Sequence, residues 1–255
     1  MNRRNFISLP VPLALTAGVL GGALWGAIPG FLKARFGAHE VINTIMMNYM
    51  AIKLVDYLVK QVFRDPDASL DRTPYVLESA RLPVLFGDFS HLHAGCLVAV
   101  AAAIGVAWFT FYTTWGFTIR TVGRNPAAAR YAGIHVTWVT VLTMALAGAL
   151  AGLAGAGEVL GLHHTLPAAF STGYGFEGIA VALLARSSPL GLVPVALLWG
   201  GLHNGAGLMQ LRAGVSIDVI AIIQALVVLC IAAEEMLRWL YRLAPLPPCE
   251  RGREA

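Results

Sequence analysis

The chain has 255 residues, 57% of them hydrophobic and only 13% charged, against about 25% charged in an ordinary soluble domain. Eighteen basic and 14 acidic residues give a net charge of +4, and the mean hydropathy is +0.68. So few charges cannot clothe a soluble globule of this length, which excludes a soluble enzyme, a disordered chain and a nucleic-acid binder and leaves a polytopic helical membrane protein. The basic excess then belongs to loops on the cytoplasmic side. Three widely spaced cysteines (Cys96, Cys230 and Cys249) form neither a metal pattern nor a disulfide framework. The apolar run after Arg3 and Arg4 continues past Ala27, too far for a cleavable signal peptide.

A crossing helix needs about 20 mostly apolar residues. Seven stretches qualify: 11–31, 40–62, 94–115, 136–160, 168–186, 189–210 and 217–240. The expected fold is an all-α polytopic transmembrane bundle of about 6–7 membrane-embedded helices, in one domain over 1–255. In the first stretch Gly18, Gly22, Gly26 and Gly30 recur every four residues and mark a face for close helix packing. The second carries a polar stripe, Glu40, Thr44 and Asn48 flanked by Asn43 and Met47, with Asp56 in reach of Lys53 and Lys60. Residues 64–93 follow, with Asp65, Asp67, Asp71, Glu78 and Asp88 against Arg64, Arg72 and Arg81, interrupted by Pro66, Pro74 and Pro83. This segment reads as an extracytoplasmic loop. Residues 116–135 hold Arg120, Arg124 and Arg130 and no acid, and read as cytoplasmic.

The fourth stretch has its own small-residue face, Ala147, Ala151 and Gly155 with Gly148 and Gly152. The fifth is interrupted by Gly173, Gly175 and Glu177, and a half-helix or re-entrant segment stands beside a full span. With Lys33, Arg35, Arg186, Arg238, Arg242, Arg251 and Arg253 inside, the signs alternate for seven crossings and a cytoplasmic C-terminus. That count leaves Arg3 and Arg4 outside.

Amide, hydroxyl and carboxylate groups at membrane depth are costly and face a bundle interior. Asn43, Thr44, Asn48, Glu158, Glu177 and Asn204 either hydrogen-bond between helices or line a polar translocation path. Trp25, Tyr49, Phe170, Tyr174, Phe176 and Trp199 offer stacking faces for a nucleobase or anchor helices at the interfaces. His163-His164 and His91-x-His93 lack a third ligand and do not make a metal site.

The segment GFTIRTVGRNPAAARYAGI, residues 116–134, carries the sharpest local design. Gly123 allows a tight turn, Asn125 suits an N-cap, Pro126 suits the first helical position, three alanines favour helix and Gly133 can end it. A short capped helix rimmed by Arg120, Arg124 and Arg130 is a docking element for a cytoplasmic partner, with Ala128 allowing close approach.

This segment resembles the coupling helix of ATP-binding cassette (ABC) importer permeases. GALWGAIPGFLKARFGAHEVINTIMMNYMA (22–51), TIRTVGRNPAAARYAGIHV (118–136), GALAGLAGAGEVLG (148–161) and FSTGYGFEGIAVALLAR (170–186) together resemble the permeases for branched-chain amino acids, simple sugars and nucleosides, most of all the nucleoside and simple-sugar branch. The resemblance implies a multi-pass permease of the bacterial inner membrane. It implies a second permease subunit, two ATPase subunits that bind ATP and Mg, and an extracytoplasmic solute-binding protein. The chain itself has no GxxxxGK[ST] phosphate loop and is expected to need no cofactor and to be no enzyme. Such relatives begin with further spans before the GALWGAIPG region, so N-terminal spans are expected to be missing here, which accounts for Arg3 and Arg4. An ion-coupled secondary transporter is the alternative, and an intramembrane enzyme a more distant one.

Overall fold

The computed structural model describes residues 11–65, 71–76, 80, 82–83, 94–167, 170, 173–213 and isolated helical positions between 219 and 229. The expected seventh span, 217–240, lies almost wholly outside the described residues, as do Asp67, Glu78, Arg81, Asp88, His91 and His93. Among the described residues every regular element is helical. α1 (Val11–Phe36), α2 (Glu40–Tyr57), α3 (Gly95–Tyr112), α4 (Thr114–Arg124), α5 (Pro126–Tyr131) and α6 (Val136–Glu158) belong to one compact unit, and α7 (Tyr174–Leu184) and α8 (Leu192–Ala213) to a second. π-helical turns, Leu58–Val62 and Val159–His163, extend α2 and α6. Among the described residues four helices are long and apolar enough to cross a bilayer: 11–36, 95–112, 136–163 and 192–212. Their outward faces are apolar, with Leu20, Leu24, Ile104 and Trp108 exposed. Such a surface suits lipid rather than water.

The first unit is organised by α1 against α6. The helices run antiparallel, because Gly18 meets Ala156 while Gly30 meets Met144 and Val141. A Cβ on Gly22 would overlap the Gly148 carbonyl oxygen, and one on Gly26 would stand 2.7 Å from the Met144 oxygen and 3.0 Å from Gly148 Cα. Backbone therefore touches backbone along the four glycines, the close approach that holds helices together where lipid offers little hydrophobic drive. The face of α6 is the expected one only at Gly148 and Gly152. Met144, Gly148, Gly152 and Ala156 make the seam, while Gly155 has open space beside it.

Pro29 interrupts α1 and is buried. It lacks an amide proton, so the Trp25 carbonyl loses its helical donor. Asn43 of α2 donates a long hydrogen bond, 3.5 Å, to the Pro29 carbonyl. The turn from α1 to α2 is closed by Gly37 at φ +67, whose amide donates to Lys33 O at 3.0 Å, and by the Lys33–Glu40 ion pair.

At the opposite end of the unit, backbone of the described stretches 71–76 and 82–83 is strapped onto the end of α6 and the residues after it. Thr73 N donates to Leu166 O (3.1 Å), Val76 N to His164 O (2.8 Å) and Leu82 N to Leu160 O (3.1 Å), and Leu166 N donates to Thr73 Oγ1 (3.0 Å). Ala80, Leu82 and Leu160 pack beneath this strap with Val11, Ala14 and Leu15 of α1. Arg64 pairs with Asp71 at 3.5 Å, and Arg72 lies over the Tyr75 ring at 4.8 Å.

In the second unit, α7 has 11 residues, about 16 Å at 1.5 Å per residue. Over the described residues the stretch 168–186 is thus a half-length helix and not a full span. Gly173, at φ +100, opens it in a conformation that favours glycine, and Arg186 and Ser187, also at positive φ, close it.

Candidate functional site

Two groups of residues need placing, those of the α4–α5 connection and the polar residues at membrane depth.

The connection begins where α3 stops. Thr113 turns extended (φ −107, ψ 154), its hydroxyl donating to Phe109 O and accepting from Gly116 N at 3.1 Å. Gly116 is buried so tightly that a Cβ would stand 2.5 Å from Thr110 O. This break ends α3 at Tyr112, three residues before the expected boundary, and starts α4 as a separate helix. α4 is amphipathic: Trp115, Ile119 and Val122 share one sector, with Arg120 and Arg124 opposite. Arg120 lies back over the Phe111 ring, 5.3 Å from its centroid. Gly123 is an ordinary helical residue of α4 with open space around it, so it makes no tight turn. The turn is made at Asn125 (φ −153, ψ 100).

α5 is fully capped. Asn125 Oδ1 accepts from Ala127 N at 3.0 Å and Ala128 N at 3.1 Å, and Pro126 occupies the first turn. At the other end Gly133 adopts φ +79, its amide donating to Arg130 O while Ile134 N donates to Ala129 O, both at 3.0 Å. That pair of bonds is a Schellman cap. Ala129 is fully buried, whereas Ala127, Ala128 and Arg130 are exposed and Tyr131 is 96% exposed. The element is thus locked at both ends on one inward alanine and shows the rest of its surface outward. Sequence reasoning missed Thr113, Gly116 and Tyr131. The Thr-Thr-Trp-Gly run was a readable cap signal for α4, while the exposure of Tyr131 has no local signature.

Within the first unit the polar residues do not form one cluster. Thr44 bonds its own helix, its hydroxyl donating to Glu40 O and Val41 O, and Asn43 is used at Pro29. Asn48 is exposed. Asp56 pairs with Lys60 at 3.8 Å. Glu158 lies at the far end of α6, 3.6 Å from His163 Nε2 across the π-helical turn, and His163 meets Phe170 edge-on at 5.9 Å. The α1–α6 seam puts Asn43 near the depth of Met144, and Glu158 is 14 residues further along α6, about 20 Å away. Glu177 is half-buried on α7 and Asn204 exposed on α8, both in the second unit. Among the described residues no three His, Cys, Asp or Glu side chains gather as metal ligands.

A model of the family described as branched-chain amino acid transport system / permease component matches residues 2–232. Over 236 residues the chain is 44% identical to a guanosine ABC transporter permease protein of Bacillus subtilis, covering 90% of this chain and 66% of that protein. It is 35% identical over 234 residues to a nucleoside ABC transporter permease protein of Lactococcus lactis, with 89% and 64% covered. A glucose ABC transporter permease protein of Haloferax volcanii is 33% identical over 245 residues, with 91% and 64% covered. The chain spans about two thirds of the length of these relatives. No solved structure matches.

Proposed function

Because the chain belongs to the branched-chain amino acid transport system / permease component family, we propose that it acts as the transmembrane permease subunit of an ABC importer in the bacterial inner membrane. The observation that carries this reading is α5, a six-residue helix capped at both ends and joined directly to the long crossing helix α6. Force from a partner can reach a crossing helix only through a stiff contact, and a six-residue helix holds its shape only when its ends are satisfied. Ala127, Ala128 and Tyr131 are the surface offered to an ATPase groove, with Arg124 and Arg130 placed to meet carboxylates at its rim.

ATP and Mg belong to two partner ATPase subunits in this reading. A second permease subunit completes the path, and a solute-binding protein meets the end that carries the strap of 71–76 and 82–83. The solute is a nucleoside or a simple sugar. Relatives named for guanosine, nucleosides and glucose support that class. Within the first unit Asn43, Asn48 and Glu158 are spread over depth, which suits successive contacts along a path better than a single binding pocket, and Glu177 and Asn204 are further candidates on the second unit.

The test is uptake of radiolabelled guanosine by cells carrying the complete transporter. Ala128→Glu should abolish uptake while leaving the amount of chain in the membrane unchanged. Parental uptake by Ala128→Glu, with the ATPase still co-purifying, would overturn the assignment.

A further inference from the structure

Arg120 occupies a place that the docking role of α5 does not use. α3 has 18 residues, about 27 Å of helix, close to the ~30 Å of a hydrocarbon core. Its last turn, with Phe111 and Tyr112, therefore reaches headgroup level. The break at Thr113 and the seat of Gly116 against the Thr110 carbonyl hold α4 on that end of α3, so α4 begins at the bilayer surface. The aromatic side chains agree: Tyr112 is 81% exposed, Trp115 57% and Phe117 62%, and such rings collect at membrane–water interfaces.

Arg120 and Phe117 lie on the same side of α4, away from Ile119 and Val122. The Arg120 guanidinium carbon stands over the Phe111 ring, 5.3 Å from its centroid, at the level of the last turn of α3. No acidic residue occurs between Asp88 and Glu158. None of the described ion pairs involves Arg120, and its Nε is buried without a hydrogen-bond partner. A planar guanidinium at this depth, on an amphipathic helix with exposed aromatics, has the recognition chemistry of a phosphodiester.

We infer that Arg120, with Phe117 beside it, binds the headgroup of an anionic phospholipid, and that α4 is an interfacial helix tying α5 to the membrane surface. Arg124 and Arg130, at the outer end of α4 and on α5, remain for the protein partner.

The experiment is native mass spectrometry of the full chain in mild detergent, titrated with dioleoylphosphatidylglycerol and separately with dioleoylphosphatidylcholine. The parental chain should retain phosphatidylglycerol under activation that strips phosphatidylcholine. Arg120→Gln should weaken that retention about tenfold. Arg120→Lys should recover part of it, because it keeps the charge and loses the fork. Arg212→Gln on α8 should leave it intact, and circular dichroism should show equal helicity in all four proteins. Equal retention by Arg120→Gln and the parent overturns the site. So does equal loss in Arg212→Gln, which would reduce the effect to net charge. Displacement of the lipid by millimolar inorganic phosphate overturns the assignment to a lipid. No ATPase or solute enters the assay, so its result is separate from the fate of the transport reading.

Discussion

At the residue scale the seam between α1 and α6 sets the tightest constraint. Gly22 and its neighbour Gly21 are both helical residues, yet a Cβ on Gly22 meets the Gly148 carbonyl and one on Gly21 meets nothing within 4 Å. Gly22→Ala must push the helices apart or strain the backbone, an overpacking cost of about 1–3 kcal/mol. Gly21→Ala should be neutral or stabilising, since alanine is the better helix former by about 1 kcal/mol. Unfolding of the purified chain in sodium dodecyl sulfate, followed by circular dichroism, measures both. Equal sensitivity of the two variants would mean that the seam is not in this register. The α1 half of the contact was legible, because a four-residue glycine repeat stands out from larger neighbours. The α6 half was legible only in part: Gly148 and Gly152 stood among the expected small residues, but in Ala-Gly-Ala-Leu-Ala-Gly-Leu-Ala-Gly-Ala-Gly nearly every face is small, and only the partner selects those two with Ala156 and leaves Gly155 in open space.

At the element scale the caps of α5 separate local stiffness from contact. Asn125→Ala removes the acceptor for Ala127 N and Ala128 N, a loss of about 1 kcal/mol. Asn125→Ser keeps an acceptor at the same place. Solute uptake by the complete transporter should therefore fall several-fold in Asn125→Ala and recover in Asn125→Ser, although neither change touches the exposed face of α5. Equal uptake in the parent and Asn125→Ala would show that the stiffness of α5 is not what transmits force. These caps were readable because Asn-Pro, the alanine run and Gly133 act within one or two turns. α4 was half readable, through its arginines but not its break. The strap of 71–76 and 82–83 on the end of α6 was not readable at all. Its hydrogen bonds join residues 78 to 93 positions apart, from Leu82 to Leu160 up to Thr73 to Leu166, and backbone pairing of that range leaves no pattern in side-chain chemistry. Nor could residue counting choose between a half-helix and a span over 168–186; among the described residues the helix begins only at Tyr174, behind Gly173 at positive φ.

At the scale of the whole molecule the two ends of the first unit differ in charge. One end joins α1 to α2 and α3 to α6 and carries Lys33, Arg35, Arg120, Arg124 and Arg130, with Glu40 tied to Lys33. The other carries Asp65 and Asp71 beside Arg64 and Arg72, with Lys60 already paired to Asp56. Unpaired arginine in short connections holds those connections on the cytoplasmic side, whereas acids count little. The α5 end should therefore face the cytoplasm. The antiparallel seam makes this one choice for both helices: α1 and α6 cannot be reoriented separately without dismantling the contact. In a chain whose native Cys96, Cys230 and Cys249 are replaced by serine, Gln61→Cys, exposed at the end of α2, should react with a membrane-impermeant maleimide in intact cells. Ala128→Cys, equally exposed on α5, should react only after the membrane is opened. Reaction of Ala128→Cys in intact cells would place α5 outside, away from any ATPase. The coupling role would fall with it, while the helical fold and its glycine seam would stand.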